Sequence, residues 1–161
     1  MDYKRKVSLY FITACFFFSI AHEKALCSEP VLSKGQTIYV PAYSHIYSGD
    51  QEHKMLLAVT LSIRNTDMKH SMRILSVDYY DTKGKLIRKY VGNPVSLKAL
   101  ESTRYVVKYN DTSGGSGANF IVKWESAKAM NAPMVESIMI GAQTQQGISF
   151  TSKGQAIKEH Q

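Results

Sequence analysis

Cysteine is almost missing from this chain: Cys15 and Cys27 are the only two, and both precede residue 28. A mature chain cleaved in that region keeps at most one thiol, which excludes an intramolecular disulfide scaffold and a cysteine-rich zinc site and leaves core packing to hold the fold. Helical periodicity is missing too. No stretch repeats apolar residues at three- and four-residue spacing, and only Glu125 to Met130 suggests a single turn. No paired acid and base, activated nucleophile or metal triad can be assembled from the residue spacing, so no reaction is indicated. The formal charge of +7 falls to +5 once residues before 29 are set aside. Its lysines and arginines are scattered and form no basic stripe interleaved with aromatics, which argues against a nucleic-acid groove.

What is present begins with Lys4-Arg5-Lys6 followed by the uncharged, largely apolar stretch Val7 to Ala21. A basic n-region before an apolar h-region reads as a signal segment, and fifteen residues fall short of the roughly 20 needed to span the hydrocarbon core as a helix. Small residues at Ser19-Ile20-Ala21 and Ala25-Leu26-Cys27 offer two cleavage points. Ile12-Thr13-Ala14-Cys15 is similar to a bacterial lipoprotein box, which would lipidate Cys15, although Phe16-Phe17-Phe18 is unusually apolar for a mature N-terminus. Leu26-Cys27 lacks the small residue before the cysteine. The expected location is the periplasm, with a lipid anchor as the alternative.

From Gly35 onward the pattern has period two. Met55, Leu57, Val59, Leu61 and Ile63 share one face of a central strand running to Thr66, and Asn65-Thr66-Asp67 ends it with turn chemistry. Met72 to Tyr80 puts Leu75, Val77 and Tyr79 on one face, the turn Asp81 to Lys85 carries Gly84, and Leu86 to Val91 returns as a hairpin. Thr103 to Tyr109, Asn119 to Glu125 with Phe120, Val122 and Trp124 aligned, Val135 to Ala142 and Ile148 to Ser152 follow, with Thr37 to Tyr43 as the first strand. About eight short strands predict an all-β, immunoglobulin-like β-sandwich over 37–157, after a signal segment 1–28 and a linker 29–36, with 158–161 as a tail. The single aromatic strand face around Trp124 favours a sandwich over a barrel.

Four stretches carry a resemblance. Ser62-Ile63-Arg64-Asn65-Thr66-Asp67, Ser76-Val77-Asp78-Tyr79-Tyr80-Asp81 with Gly84 and Leu86, Asp111 to Phe120, and Gln146-Gly147-Ile148-Ser149-Phe150 together resemble an uncharacterised domain-of-unknown-function family of bacterial exported and lipoprotein-type proteins. The resemblance covers roughly Gly35 to Ile157 and implies export and a shared fold, without an activity.

The most unusual segment is Asp111 to Asn119. Asp111, Ser113, Gly114, Gly115, Ser116, Gly117 and Asn119 are the candidate ligand-binding residues: successive N–H groups of such a loop can form an anion nest, and its oxygens could reach a cation or a sugar. The competing reading is a long flexible connection. It is neither a P-loop, since no Gly-Lys-Ser/Thr follows, nor a nucleophile elbow. His45 and His53 flank Asp50 and Glu52 with no metal-motif spacing and read as a polar turn; His70 beside Asp67 reads as surface. If the strands simply alternate direction, loops 44–54, 81–85, 111–119 and 143–147 fall at one end, gathering His45, Asp50, Asp81, Asp111, Asn119, Gln145 and Gln146 into a rim. Lys83, Lys85, Arg88 and Lys89 read as an edge protected against aggregation, and the strand tyrosines as core or cross-strand pairs.

The sequence therefore points to an exported, non-enzymatic binding or interaction domain of the cell envelope that uses this loop end, without a cofactor or metal. Its partner would be an envelope protein or an anionic or glycan ligand, with membrane contact only through the signal or a lipid anchor. The alternatives are a hydrolytic or metal-dependent enzyme assembled from loop carboxylates and histidines, and a structural accessory domain of an envelope complex. An exposed apolar patch would mark the latter.

Overall fold

A strand that buries one row of side chains must satisfy its backbone N–H and C=O groups in neighbouring strands, so period-two segments assemble by pairing. The computed structural model describes residues 31–50, 52–142 and 147–160. The signal segment with Cys15 and Cys27, and the rim residues Gln145 and Gln146, lie outside them.

The described residues form β1 (Leu32–Ala42), β2 (His45–Ser48), β3 (His53–Leu56), β4 (Ala58–Arg64), β5 (Met72–Tyr80), β6 (Leu86–Lys89), β7 (Val95–Leu97), β8 (Ser102–Val107), β9 (Ala118–Asn131), β10 (Met134–Gly141), β11 (Ile148–Lys153) and β12 (Gln155–Glu159). One sheet runs β12-β1-β9-β5-β6, with β7 also paired to β5; the other runs β11-β10-β4-β8; β2 and β3 form a separate ribbon. All these pairings are antiparallel. The chain is an all-β sandwich. Its central pairs β5–β9 and β4–β8 lie on opposite sheets, as in an immunoglobulin sandwich. The outer strands differ, since β1 lies beside β9 and β10 beside β4, where the constant-type order puts the first strand by the second and the last by the sixth.

Between the layers lie Val40, Leu57, Val59, Leu61, Ile63, Ile74, Val77, Tyr79, Phe120, Val122, Trp124 and Met139, all fully buried. Trp124, Tyr79 and Phe120 are the largest, and the Tyr79 and Phe120 rings meet with centroids 4.8 Å apart. Leu57, Val59, Leu61 and Ile63 share the expected face. The strand expected over Met55 to Thr66 breaks at Leu57, because β3 turns away to pair with β2. In β5 the ladder shifts between Ile74 and Ser76, so Ile74 takes the buried place expected for Leu75. One inserted residue is enough to exchange the faces of a strand. Glu125 to Met130 is strand, not a helical turn.

Two boundaries also move. β1 starts at Leu32 with Ser33 and Gln36 buried, so most of the expected linker 29–36 is paired strand. β12 runs to Glu159, and His160 N donates to Gly35 O at 2.8 Å, drawing part of the expected tail into the same sheet.

Candidate functional site

Alternating strand direction brings three of the expected loops together. The Ser44 backbone N and Oγ both donate to Gly115 O, at 3.1 and 3.0 Å. Thr82 N and Oγ1 both donate to Gly114 O, at 2.9 and 3.0 Å, and Thr82 Oγ1 accepts from Gly117 N at 3.0 Å. Loop 111–117 is thus sewn to the end of β1 and to the β5–β6 turn. Gly141, at the end of β10, lies at the same end, since it packs on Leu56 and Leu57, and Leu57 N donates to Ser44 O.

The glycines of this loop have packing reasons. A Cβ on Gly114 would lie 1.9 Å from the buried Tyr79 Oη, and Gly115 sits at φ +81° with a would-be Cβ 2.4 Å from Thr82 Oγ1. An anion nest needs free consecutive N–H groups, whereas Ser113 N donates to Asp111 Oδ1, Gly115 N to Thr112 O and Gly117 N to Thr82 Oγ1. Asp111 is equally occupied. Its Oδ1 accepts from Ser113 Oγ at 2.5 Å and its Oδ2 from Arg88 Nη2 at 2.8 Å. Burial pushes the Asp111 carboxyl up, but these hydrogen bonds and the Arg88 charge outweigh it, so its pKa lies below the ordinary value. Arg88 Nη1 donates onward to Tyr90 Oη at 3.0 Å, and Tyr90 Oη donates to Val106 O at 3.2 Å, so the chain from Asp111 ties the two sheets together. Thr112, Ser113 and Gly117 are exposed, Ser116 is half-buried, and Asn119 lies on the sheet face between Pro41 and Tyr80.

The other rim residues do not converge. Asp81 Oδ1 closes its own turn, accepting from Lys83 N and Lys85 N at 2.8 Å each, and Asp50 is exposed. His45 is 7% exposed, with Nδ1 3.3 Å from Ser44 Oγ and Nε2 3.3 Å from Tyr47 Oη. Burial, then the nearby Lys54 charge, lowers its pKa. His45 stands opposite Leu56 and His53 opposite Ser48, three ladder positions or about 10 Å apart. Among the described residues no three His, Cys, Asp or Glu side chains gather as a metal site would require.

Two features were missed in the sequence. At the far end, the buried Asn65 donates through Nδ2 to His70 O at 2.9 Å and Lys98 O at 2.8 Å, while its Oδ1 accepts from Asp67 N at 3.0 Å. Asp67 Oδ1 accepts from Lys69 N and His70 N, each at 2.8 Å, and Oδ2 from Asn131 N at 3.1 Å. The hydrogen bonds from Lys69 and His70, foremost, hold the Asp67 carboxyl at about 2. Asn65-Thr66-Asp67 was visible as turn chemistry, but its distant partners at Lys98 and Asn131 were not.

The second missed feature is the outer face of the four-stranded sheet. Register aligns Val106, Thr60, Ile138 and Thr151 across it, with Ala58, Ile140 and Ser149 as the next row. Val106 is 45% and Ile140 49% exposed. The adjoining edge strand β11 pairs in unbroken register with β10 and carries one charge, Lys153. By contrast, β12 carries Lys158 and Glu159 with a register shift opposite it, and β6 carries Arg88 and Lys89 with another. Charges and bulges blunt sheet edges, so β11 and the opposite edge β8, which also pairs in unbroken register and carries one charge, Arg104, are left more open to pairing.

Two antiparallel sheets packed over one aromatic and aliphatic core, with loops gathered at each end, define a β-sandwich domain. Within that class, the chain belongs to the family described as "Protein of unknown function (DUF3124)", whose model matches residues 35–157. No curated protein matches it. Among solved structures it is similar to the crystal structure of Thermotoga maritima 1070, with TM-score 0.46 and 10% identity over 78% of this chain and 97% of that one.

Proposed function

We propose that this chain is a non-enzymatic interaction domain of the bacterial cell envelope that docks on a protein partner through the outer face of its four-stranded sheet. The observation that carries this reading is the exposure of Val106 and Ile140, with the half-buried Ile138 between their rows, on the outer face of that sheet. Exposed apolar side chains gathered on one face are the surface signature of an interaction site. Thr151 and Ser149 beside it supply a polar margin, and the β11 edge extends it. The Gly/Ser-rich loop serves as the rigid end beside this face, because Asp111, Ser113, Gly114, Gly115 and Gly117 are engaged in hydrogen bonds within the fold. Export is supported by Lys4-Arg5-Lys6 before Val7 to Ala21.

The test is photo-crosslinking in cells, with a photoreactive residue placed in turn at Ile138, Ile140 and Val106, at Tyr39 on the opposite sheet and at Ser113 in the loop, followed by fractionation. Discrete protein adducts in the periplasmic or membrane fraction from the first three positions are expected, weakened by Val106→Glu in the Ile140 series. Adducts from Ser113 alone would return the contact to the loop. Equal labelling at Tyr39, or a cytoplasmic chain, would refute the proposal.

A further inference from the structure

On the outer face of the other sheet, Glu125 sits between two irregularities. Toward β5 the ladder shifts between Ile74 and Ser76, and toward β1 it passes from Gly35 opposite Glu125 to Ser33 opposite Met130, leaving residues 126–129 without a β1 partner. Extra residues in one strand arch out of a sheet and re-aim the side chains beside them. The arch is fixed: Ser126 Oγ donates to Ser71 O at 3.0 Å and accepts from Lys128 N at 3.4 Å. Beneath it lies a cleft of about 380 Å³ lined by Ser71, Arg73, Ser96, Glu125, Ser126 and Ala127. That volume is within the range of small-molecule sites, roughly 300 to 1,000 Å³.

Its chemistry is specific. Ser96, Arg73 and Glu125 are direct cross-strand neighbours, so a hydroxyl, a guanidinium and a carboxylate share one row. Arg73 Nη1 meets Glu125 Oε1 at 3.3 Å, with the side chains 57% and 43% exposed. A solvated pair with one such contact is held weakly and leaves most of the guanidinium fork and the second carboxylate oxygen for another partner. Ala127 is the sole apolar residue of the lining, and the groups that can hold a ligand by charge or hydrogen bond are those of Ser71, Arg73, Ser96, Glu125 and Ser126.

We propose that this cleft binds a small zwitterion of the α-amino-acid or peptide-terminus class, its carboxylate on Arg73 and its ammonium on Glu125, with Ser96 and Ser126 completing the hydrogen bonds. A simple anion on Arg73 would lie beside the Glu125 carboxylate, and a simple cation beside the guanidinium, so each meets a like charge that a zwitterion does not. A neutral sugar brings no charge of its own, so each hydrogen bond it makes to Arg73 or Glu125 is ionised on one side only. The cleft lies on the sheet opposite the proposed docking face, so the two readings stand or fall separately.

The test is an amide NMR titration of the purified full chain with glycine, alanine and alanyl-alanine, against acetate, methylammonium and glucose. Saturable shifts confined to residues 71–73, 96 and 125–128 are expected for the zwitterions, with acetate and methylammonium binding at least about tenfold more weakly, the size of one lost charge-assisted contact. Arg73→Gln and Glu125→Gln should each weaken zwitterion binding by a similar factor with an unchanged unfolding midpoint. Glu125→Gln should also strengthen acetate binding, which a purely structural role for Glu125 would not produce. No saturable shift at millimolar zwitterion, equal shifts with glucose, or indifference to both substitutions would overturn the assignment.

Discussion

Replacing Gly114 by alanine isolates the role of the Gly/Ser-rich loop. The added Cβ would meet Tyr79 Oη at 1.9 Å, Tyr79 Cζ at 2.7 Å and Ala118 Cβ at 2.8 Å. Tyr79 has no room to retreat, being fully buried with Phe120 against it at 4.8 Å, and Gly114 itself is held by the two hydrogen bonds from Thr82. Overpacking of this kind costs about 1–3 kcal/mol, or roughly 3–15 °C of unfolding midpoint for a domain of this size. The single tryptophan, Trp124, is buried in the core and reports unfolding by fluorescence. Tyr79→Phe supplies the control. Its Oη is buried without a hydrogen-bond partner among the described residues, so removing it should cost less than about 0.5 kcal/mol or stabilise, and it takes away the shortest clash. The double variant should therefore recover about 1 kcal/mol or more relative to the sum of the singles. Gly114→Ala within about 0.5 kcal/mol of wild type, or additivity with Tyr79→Phe, would refute the clasp and restore a flexible loop.

Two further outcomes concern the opposite end. Asn65→Ala removes the donor to His70 O and Lys98 O and the acceptor for Asp67 N, all at a buried site, and should cost about 2–4 kcal/mol by urea unfolding; a loss below about 0.5 kcal/mol would show that water replaces the amide. The Asp67 carboxyl is held at about 2 in the folded chain, below its ordinary 3.8, so its stabilisation is complete above the higher value and disappears as pH falls through the lower. Stability should decline between about pH 4 and 2, and Asp67→Asn should flatten that part of the profile; an unchanged slope in the variant would place the acid sensitivity elsewhere.

The core was legible because alternation survives wherever ladders are regular: Leu57 to Ile63 and Phe120 to Trp124 face inward as their spacing requires. Bulges defeat that reading. Nothing in Ile74-Leu75-Ser76 marks the extra residue that moves Leu75 outward, and Glu125 to Met130 suggested a single turn because the arch at 126–129 also breaks period two. Strand parity brought loops 44, 81–85 and 111–117 to one end, yet the chemistry expected of them fails for a reason composition cannot supply. Whether a serine or an aspartate in a loop is free depends on the loop beside it, and here Thr82, Ser44 and Arg88 engage Asp111, Gly114, Gly115 and Gly117.

This arrangement changes where recognition is to be sought. A β-sandwich ordinarily fixes its sheets and leaves its loops to vary, so ligands are expected at the ends. Here the described residues of both ends are tied by hydrogen bonds within the fold, through Gly114 and Gly115 at one and Asn65 and Asp67 at the other. Further chemistry lies on the sheet faces: apolar side chains in water around Ile140, and a loosely held ion pair in the cleft at Glu125. The two regions separate experimentally. Substitutions in the end loops act through packing and buried hydrogen bonds and must move the unfolding midpoint, whereas Ile140, Arg73 and Glu125 are solvated enough to change with little effect on stability, so their loss has to register in binding.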